Sequence, residues 1–185
     1  SQYGKGMWSV PRKLALKKVG SRYFLTQQPI EALRQLRGKQ VSANYKLPLG
    51  SARLKCASPK SNVYEMDVTF SALQSNVFGL NLCSGHGRKV TISYDTDSHN
   101  LVIDRTHCAD VDIPKFDRMA HAQVLPQNGK LRMHIFVDKS SVEIFCNDGQ
   151  DVFTLQTFPS EDQIGIETFS QKSVTNMELK WWPLQ

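Results

Sequence analysis

The sequence predicts an all-β chain: a two-sheet antiparallel β-sandwich preceded by a short hairpin and a linker helix. Three observations carry that expectation. After residue 62 apolar and polar residues alternate with a period of two, the pattern of half-buried strands. These runs are short, are separated by turn-forming residues and have no helical period between them, which argues against a βαβ arrangement. Finally, 185 residues with 40% hydrophobic and 22% charged side chains make a chain that buries roughly 70% of its unfolded surface without metal or disulfides.

The elements follow in order. Residues 13–19 and 22–27 read as a hairpin turned at Gly20-Ser21. The stretch from Pro29 through Glu31 to Gly38 reads as the one helix, with Pro near its start, Arg near its end, Gly to stop it, and Ile30, Leu33 and Leu36 to dock it. Residues 40–62, with two Pro and one Gly, read as irregular. In the next strand Tyr64, Met66, Val68 and Phe70 take one face, and Glu65, Asp67 and Thr69 the other. Phe78, Leu80 and Leu82 repeat the pattern, as do Val90, Ile92 and Tyr94, and then residues 101–104. Residues 106–127 read as a long loop. Strands are expected at 131–137, 141–146, 152–158, 163–169 and 174–182. The first three should form a meander through the turns Asp138-Lys139-Ser140 and Asn147-Asp148-Gly149. Residues 97–100 should close another hairpin. The organisation expected is a segment over 1–37 carrying the helix, then a sandwich over 38–185, with no internal repeat.

Charge is unevenly placed. Residues 1–60 hold 13 Lys and Arg against the single acid Glu31, whereas residues 61–185 hold 10 against 16 acids. That split fits internal complementarity, or a basic face meeting an acidic partner domain. The net +6 is not read as nucleic-acid binding, because no reader motif is present. No apolar run approaches the ~18 residues that cross a bilayer, so no membrane partner is expected. The chain begins Ser1-Gln2, which reads as a processed or excised fragment. Cys56, Cys83, Cys108 and Cys146 are far apart in mostly apolar surroundings and read as free core thiols, the even count leaving disulfides open for a secreted parent. Neither Cys83-x-x-His86 nor His107-Cys108 has a closed zinc spacing, so no metal or other cofactor is expected.

Candidate chemistry is sparse. Glu143 lies mid-strand opposite Val142 and Ile144 and reads as a solvated or edge-pairing residue, since no second carboxylate is placed near it. Asp104-Arg105 reads as a local ion pair. Asp110, Asp112 and Asp117 share a loop without calcium-loop spacing. The sequence holds no Gly-x-Ser-x-Gly, phosphate-cradling Gly-rich loop or His-Glu-x-x-His. His134, alternating with Arg132 and Phe136, reads as a surface or cleft residue.

The run Asp138-Lys139-Ser140-Ser141-Val142-Glu143-Ile144-Phe145-Cys146-Asn147-Asp148-Gly149 resembles the C-terminal β-sandwich of glycoside hydrolase family 32, the invertase, levanase, inulinase and sucrose-6-phosphate hydrolase group. Three further stretches agree in order. Trp8-Ser9-Val10-Pro11-Arg12-Lys13-Leu14-Ala15-Leu16 is similar to the segment leaving that family's catalytic propeller. Gln28-Pro29-Ile30-Glu31-Ala32-Leu33 is similar to its linker helix, and Leu101-Val102-Ile103-Asp104-Arg105-Thr106 to its central sandwich strand. The resemblance implies a concanavalin A-like sandwich of jelly-roll type. Its catalytic motifs, Trp-Met-Asn-Asp-Pro-Asn-Gly, Arg-Asp-Pro and Glu-Cys, belong to the propeller and have no counterpart here, so no catalytic residue carries over and the chain alone is expected to be inactive.

What the resemblance implies is a non-catalytic module of a retaining fructan- or sucrose-hydrolysing enzyme, bracing the propeller through Trp8, Pro11, Arg12 and the linker helix. An alternative is an independent module binding fructan or another carbohydrate, with Trp181, Trp182 and Tyr45 as sugar-stacking candidates. Since adjacent strand residues point to opposite faces, at most one of the two tryptophans could be available. Exposed strand edges in the first hairpin also raise a homodimer as a possible assembly.

Overall fold

The computed structural model describes residues 6–57, 59–109 and 117–185. In chain order its strands are β1 (Arg12–Val19), β2 (Arg22–Pro29), β3 (Val41–Lys46), β4 (Gly50–Arg53), β5 (Tyr64–Ser71), β6 (Val77–Gly85), β7 (Arg88–Asp95), β8 (Asn100–Asp104), β9 (Met119–Gln123), β10 (Leu131–Asp138), β11 (Ser141–Cys146), β12 (Asp151–Gln156), β13 (Gly165–Ser170) and β14 (Asn176–Pro183). The ribbon β1-β2 stands apart. A six-stranded sheet runs β12-β11-β10-β5-β14-β3, and a five-stranded sheet runs β13-β6-β7-β8-β9. Every pairing in the three sheets is antiparallel. The two larger sheets make the expected sandwich.

Alternation builds the core. Tyr64, Met66, Val68 and Phe70 of β5 are wholly buried, as are Phe78, Leu80 and Leu82 of β6 and Val90, Ile92 and Tyr94 of β7. The rings of Phe70 and Phe78 meet between the sheets at 4.8 Å, and Phe78 meets Tyr94 at 5.7 Å, tilted contacts of the kind aromatic pairs prefer. Cys83, Cys108 and Cys146 are buried free thiols and Cys56 is a partly buried one. Burial pushes the Cys83 thiol up to about 12, so it is protonated and inert.

Four sequence expectations need correction. The helix is a 3-10 turn, Glu31–Leu36, with no buried residue, and Leu36 is exposed. Its bonds run three residues back, from Leu33 N–H to the Ile30 carbonyl and from Arg37 N–H to the Arg34 carbonyl, both at 3.2 Å, and no side chain caps its start to nucleate a longer α-helix. The stretch 40–62 holds β3 and β4, the latter lying along β13 with Leu54 N–H donating to the Ile166 carbonyl at 2.9 Å. The stretch 106–127 holds β9, whose inward residues are the small Ala120 and Ala122. Asp110 and Asp112 lie outside the described residues. Nor is Asp104-Arg105 a local ion pair. Asp104 accepts from Thr106 N–H at 2.8 Å. The buried Arg105 guanidinium donates to the Gln156 carbonyl at 2.6 Å and to the Asp117 carbonyl, which ties the end of β8 to β12.

Candidate functional site

Directly opposed residues of antiparallel strands share a face, and on the outer face of the six-stranded sheet they form three rows. The first is Asn44, Glu178, Thr69 and Arg132; the second is Ser42, Lys180, Asp67, His134 and Phe145. The third is Trp182, Glu65, Phe136, Glu143 and Thr154. The first two rows are largely open. In the third, Trp182, Glu65, Phe136 and Glu143 are only 6%, 1%, 5% and 2% exposed, because the segment preceding β3 lies over them.

Burying two carboxylates requires charged partners, and both come from that preceding segment. Glu143 accepts from the Arg12 guanidinium, from Val10 N–H at 2.7 Å and from the Thr154 hydroxyl at 3.5 Å. The Arg12 guanidinium also donates to Gln27 at 3.0 Å and to the Thr154 hydroxyl, and lies 5.1 Å from the centre of the Phe145 ring. Glu65 accepts from Arg37 Nε at 2.7 Å, from the same arginine's Nη2, and pairs with His134 Nε2. Arg37 stacks on Trp182 with its guanidinium carbon 3.9 Å from the ring centre. Burial works against ionising Glu65, but hydrogen bonds from Arg37 and His134 outweigh it and hold the carboxyl below its ordinary range. The Arg37 guanidinium is raised in turn, chiefly by its bond to Glu65.

A third contact fixes the hairpin. Gly149, at φ +78°, sits so close to β2 that a Cβ there would fall 1.8 Å from the Gln27 carbonyl oxygen. Beside it Gln28 Nε2 donates to the Asp148 carbonyl at 3.0 Å. The turn Asn147-Asp148-Gly149 has positive φ at all three residues, as its composition predicts.

Between this segment and the open rows lies a cavity of about 360 Å³, lined by Gln28, Glu31, Arg34 and Arg37 on one side, Asp67, Thr69 and His134 on the floor, and Lys130 and Asp148 at the end. A second cavity of about 250 Å³ continues toward β3 and shares Asp67, Thr69 and Glu178 with the first.

The residues singled out from sequence are distributed differently. Trp8 is 98% exposed and Pro11 is exposed, with its carbonyl accepting from Ile30 N–H at 3.1 Å. Arg12, expected at a domain interface, turns inward to Glu143, with its side chain 15% exposed. The expectation of a solvated Glu143 is therefore corrected: its partner comes from 131 residues away. Trp181 and Trp182 do point to opposite faces, yet each is 6% exposed. Trp181 packs against Tyr64 in the core and Trp182 lies beneath Arg37, so neither offers an open ring. Tyr45 is partly buried against the core edge beside Cys56, and burial raises its hydroxyl to about 12. His134 lines the cleft, as its position predicts. Arg37 and Glu65 were legible only as a helix-end arginine and an outward strand residue; nothing local marks them as partners.

Comparison with known proteins agrees with this architecture. The family described as glycosyl hydrolases family 32 C terminal matches residues 30–183. An extracellular exo-inulinase of Aspergillus awamori is 32% identical over 179 residues, 90% of this chain and 32% of the relative. A sucrose-6-phosphate hydrolase of Streptococcus mutans is 32% identical over 178 residues, 96% of this chain and 33% of the relative. A levanase of Bacillus subtilis is 29% identical over 166 residues, 88% of this chain and 24% of the relative. The chain thus spans a third or less of these relatives. The crystal structure of the Aspergillus awamori exo-inulinase superposes with a TM-score of 0.86 at 28% identity, covering 96% of this chain and 35% of that one.

Proposed function

This chain belongs to glycoside hydrolase family 32, as its C-terminal domain, and on that premise we propose that it serves as the non-catalytic sandwich of an enzyme hydrolysing β-fructosidic bonds in fructan or sucrose-type substrates. Its work is to brace the catalytic propeller. The observation that carries this reading is the double clamp, in which Glu143 and Glu65 hold Arg12 and Arg37 and so fix the direction in which the segment before the sandwich leaves it.

The same clamp speaks against catalysis by this chain. Retaining hydrolysis uses two carboxyl groups about 5 Å apart on either side of the bond, one of them an acid with a raised pKa. Glu65 and Glu143 are engaged by arginines, and Glu65 is shifted down. Asp151, which burial raises, does not line either cavity.

The test is a chimera carrying this chain in place of the C-terminal third of the Aspergillus awamori exo-inulinase. It should release fructose from inulin, whereas the isolated chain should release none. Replacing Arg12 and Arg37 by alanine in the chimera should leave kcat unchanged and shorten its half-life at elevated temperature several-fold. Fructose release by the isolated chain would overturn the reading.

A further inference from the structure

We propose that the two adjoining cavities on the outer face of the six-stranded sheet form one groove that holds a fructan chain, a binding site on the sandwich itself. The inference rests on the family reading above for the substrate class, and on the groove's own chemistry for the site.

The groove is continuous. Asp67, Thr69 and Glu178 line both cavities, and they lie in neighbouring rows across β5 and β14. It runs across strands, from β10 over β5 and β14 to β3, a span of three strand spacings, or about 14 Å. Such a length suits a linear oligomer better than a single small ring. One wall is the 3-10 turn with Glu31 and Arg34, and it is held in place by the buried pair Arg37–Glu65. The groove is therefore anchored to a clamped element, and a ligand would not have to order that wall.

Its lining carries both signs of charge. Carboxylates and cations alternate along it, so neither an anion nor a cation meets a field of one sign. Asp67 and Glu178 offer acceptors, Arg132 and Lys180 offer donors, and the Thr69 hydroxyl does both. A ligand that uses all of these carries many groups that both donate and accept, as the hydroxyls of a fructan do. The tryptophans that would usually mark a sugar site are sealed away, so recognition here is by hydrogen bonds to a polar floor.

Calorimetric titration of the chain with inulin-type and levan-type oligomers tests this, with dextran as a neutral control. Saturable binding of fructan is expected, with affinity rising to about the trimer and then levelling as the span of the groove is filled. Asp67→Ala and Glu178→Ala, both at exposed positions, should each weaken binding at least tenfold with the melting temperature unchanged, while Glu161→Ala outside the groove should not. No binding, equal binding of dextran, or binding indifferent to Asp67 and Glu178 would overturn the proposal. So would an unbound groove whose two substitutions destabilise the inulinase chimera, which would assign the face to the catalytic module. Fructose release by that chimera is a separate readout, so the groove can fail while the module reading stands.

Discussion

Two hairpins of this molecule, β1-β2 and β10-β11, are built alike and end differently. Each pairs antiparallel strands through a short turn, and each has a face rich in large apolar residues. In β10-β11 that face carries Met133, Ile135, Val137, Val142 and Ile144, none more than 1% exposed. In β1-β2 the equivalent face carries Leu14, Leu16, Tyr23 and Leu25, at 61%, 71%, 64% and 53%. Register puts Leu14 opposite Gln27, Leu16 opposite Leu25 and Lys18 opposite Tyr23, so these side chains form one surface. Arg12 and Gln27 continue it toward Glu143. Alternation therefore states that a face wants covering, and does not state that the same chain covers it. The first hairpin meets the sandwich at one end only, through Arg12 and Gly149, and presents the rest of its apolar face outward.

The largest contrast comes from truncating the covered face. Ile135 sits opposite both Ile144 and Met66 with no exposure. Ile135→Ala should cost about 3 to 4 kcal/mol, the transfer loss plus the cavity left in a close-packed core, measured by urea unfolding of the chain.

Next is the joint itself. Arg12→Ala leaves the Glu143 carboxylate buried with only Val10 N–H and the Thr154 hydroxyl, a loss of about 3 kcal/mol where a buried pair is broken from one side. The hairpin should then detach while the sandwich persists, seen as lost amide protection confined to β1 and β2. Gly149→Ala should give the same local signature by sterics, since its Cβ would collide with the Gln27 carbonyl.

These joints show where reading the sequence stopped. Strands with large inward residues were legible, and so was the turn Asn147-Asp148-Gly149, because its residues tolerate the left-handed region that all three occupy. Strand β4 is exposed along its whole length, and β9 turns only alanines inward, so neither carries an apolar period to detect. Glu65 and Glu143 sit at polar positions of alternating strands, where water is the expected neighbour. What buries them is an arginine 28 or 131 residues distant, and no local pattern encodes such a pairing. The groove was invisible for the same reason: its floor is a set of cross-strand rows that exist only once register is known.

Acid should loosen the second joint by a smaller amount. Glu65 is held below the ordinary carboxyl range in the folded chain, so its pairs with Arg37 and His134 stabilise fully above the unfolded value of about 4.3, and that contribution is lost as pH falls through the lower folded value. Unfolding midpoints of the wild-type chain should therefore drop more steeply below about pH 4 than those of Glu65→Gln, which cannot gain that proton. Equal slopes would show that the pair does not couple to folding.

The smallest effect in the isolated chain returns to the open face of the first hairpin. Leu16→Ala removes a side chain already 71% exposed, so unfolding of the isolated chain should shift by less than about 0.5 kcal/mol. In the inulinase chimera the same substitution should cost about 2 kcal/mol if, as proposed, the catalytic module covers that face, since the change then becomes a core truncation. The ratio of the two costs measures how much of the hairpin's apolar face belongs to the neighbouring module. A cost in the isolated chain that grows with protein concentration would assign the face to a second copy instead, and equal small costs in both settings would leave it facing water.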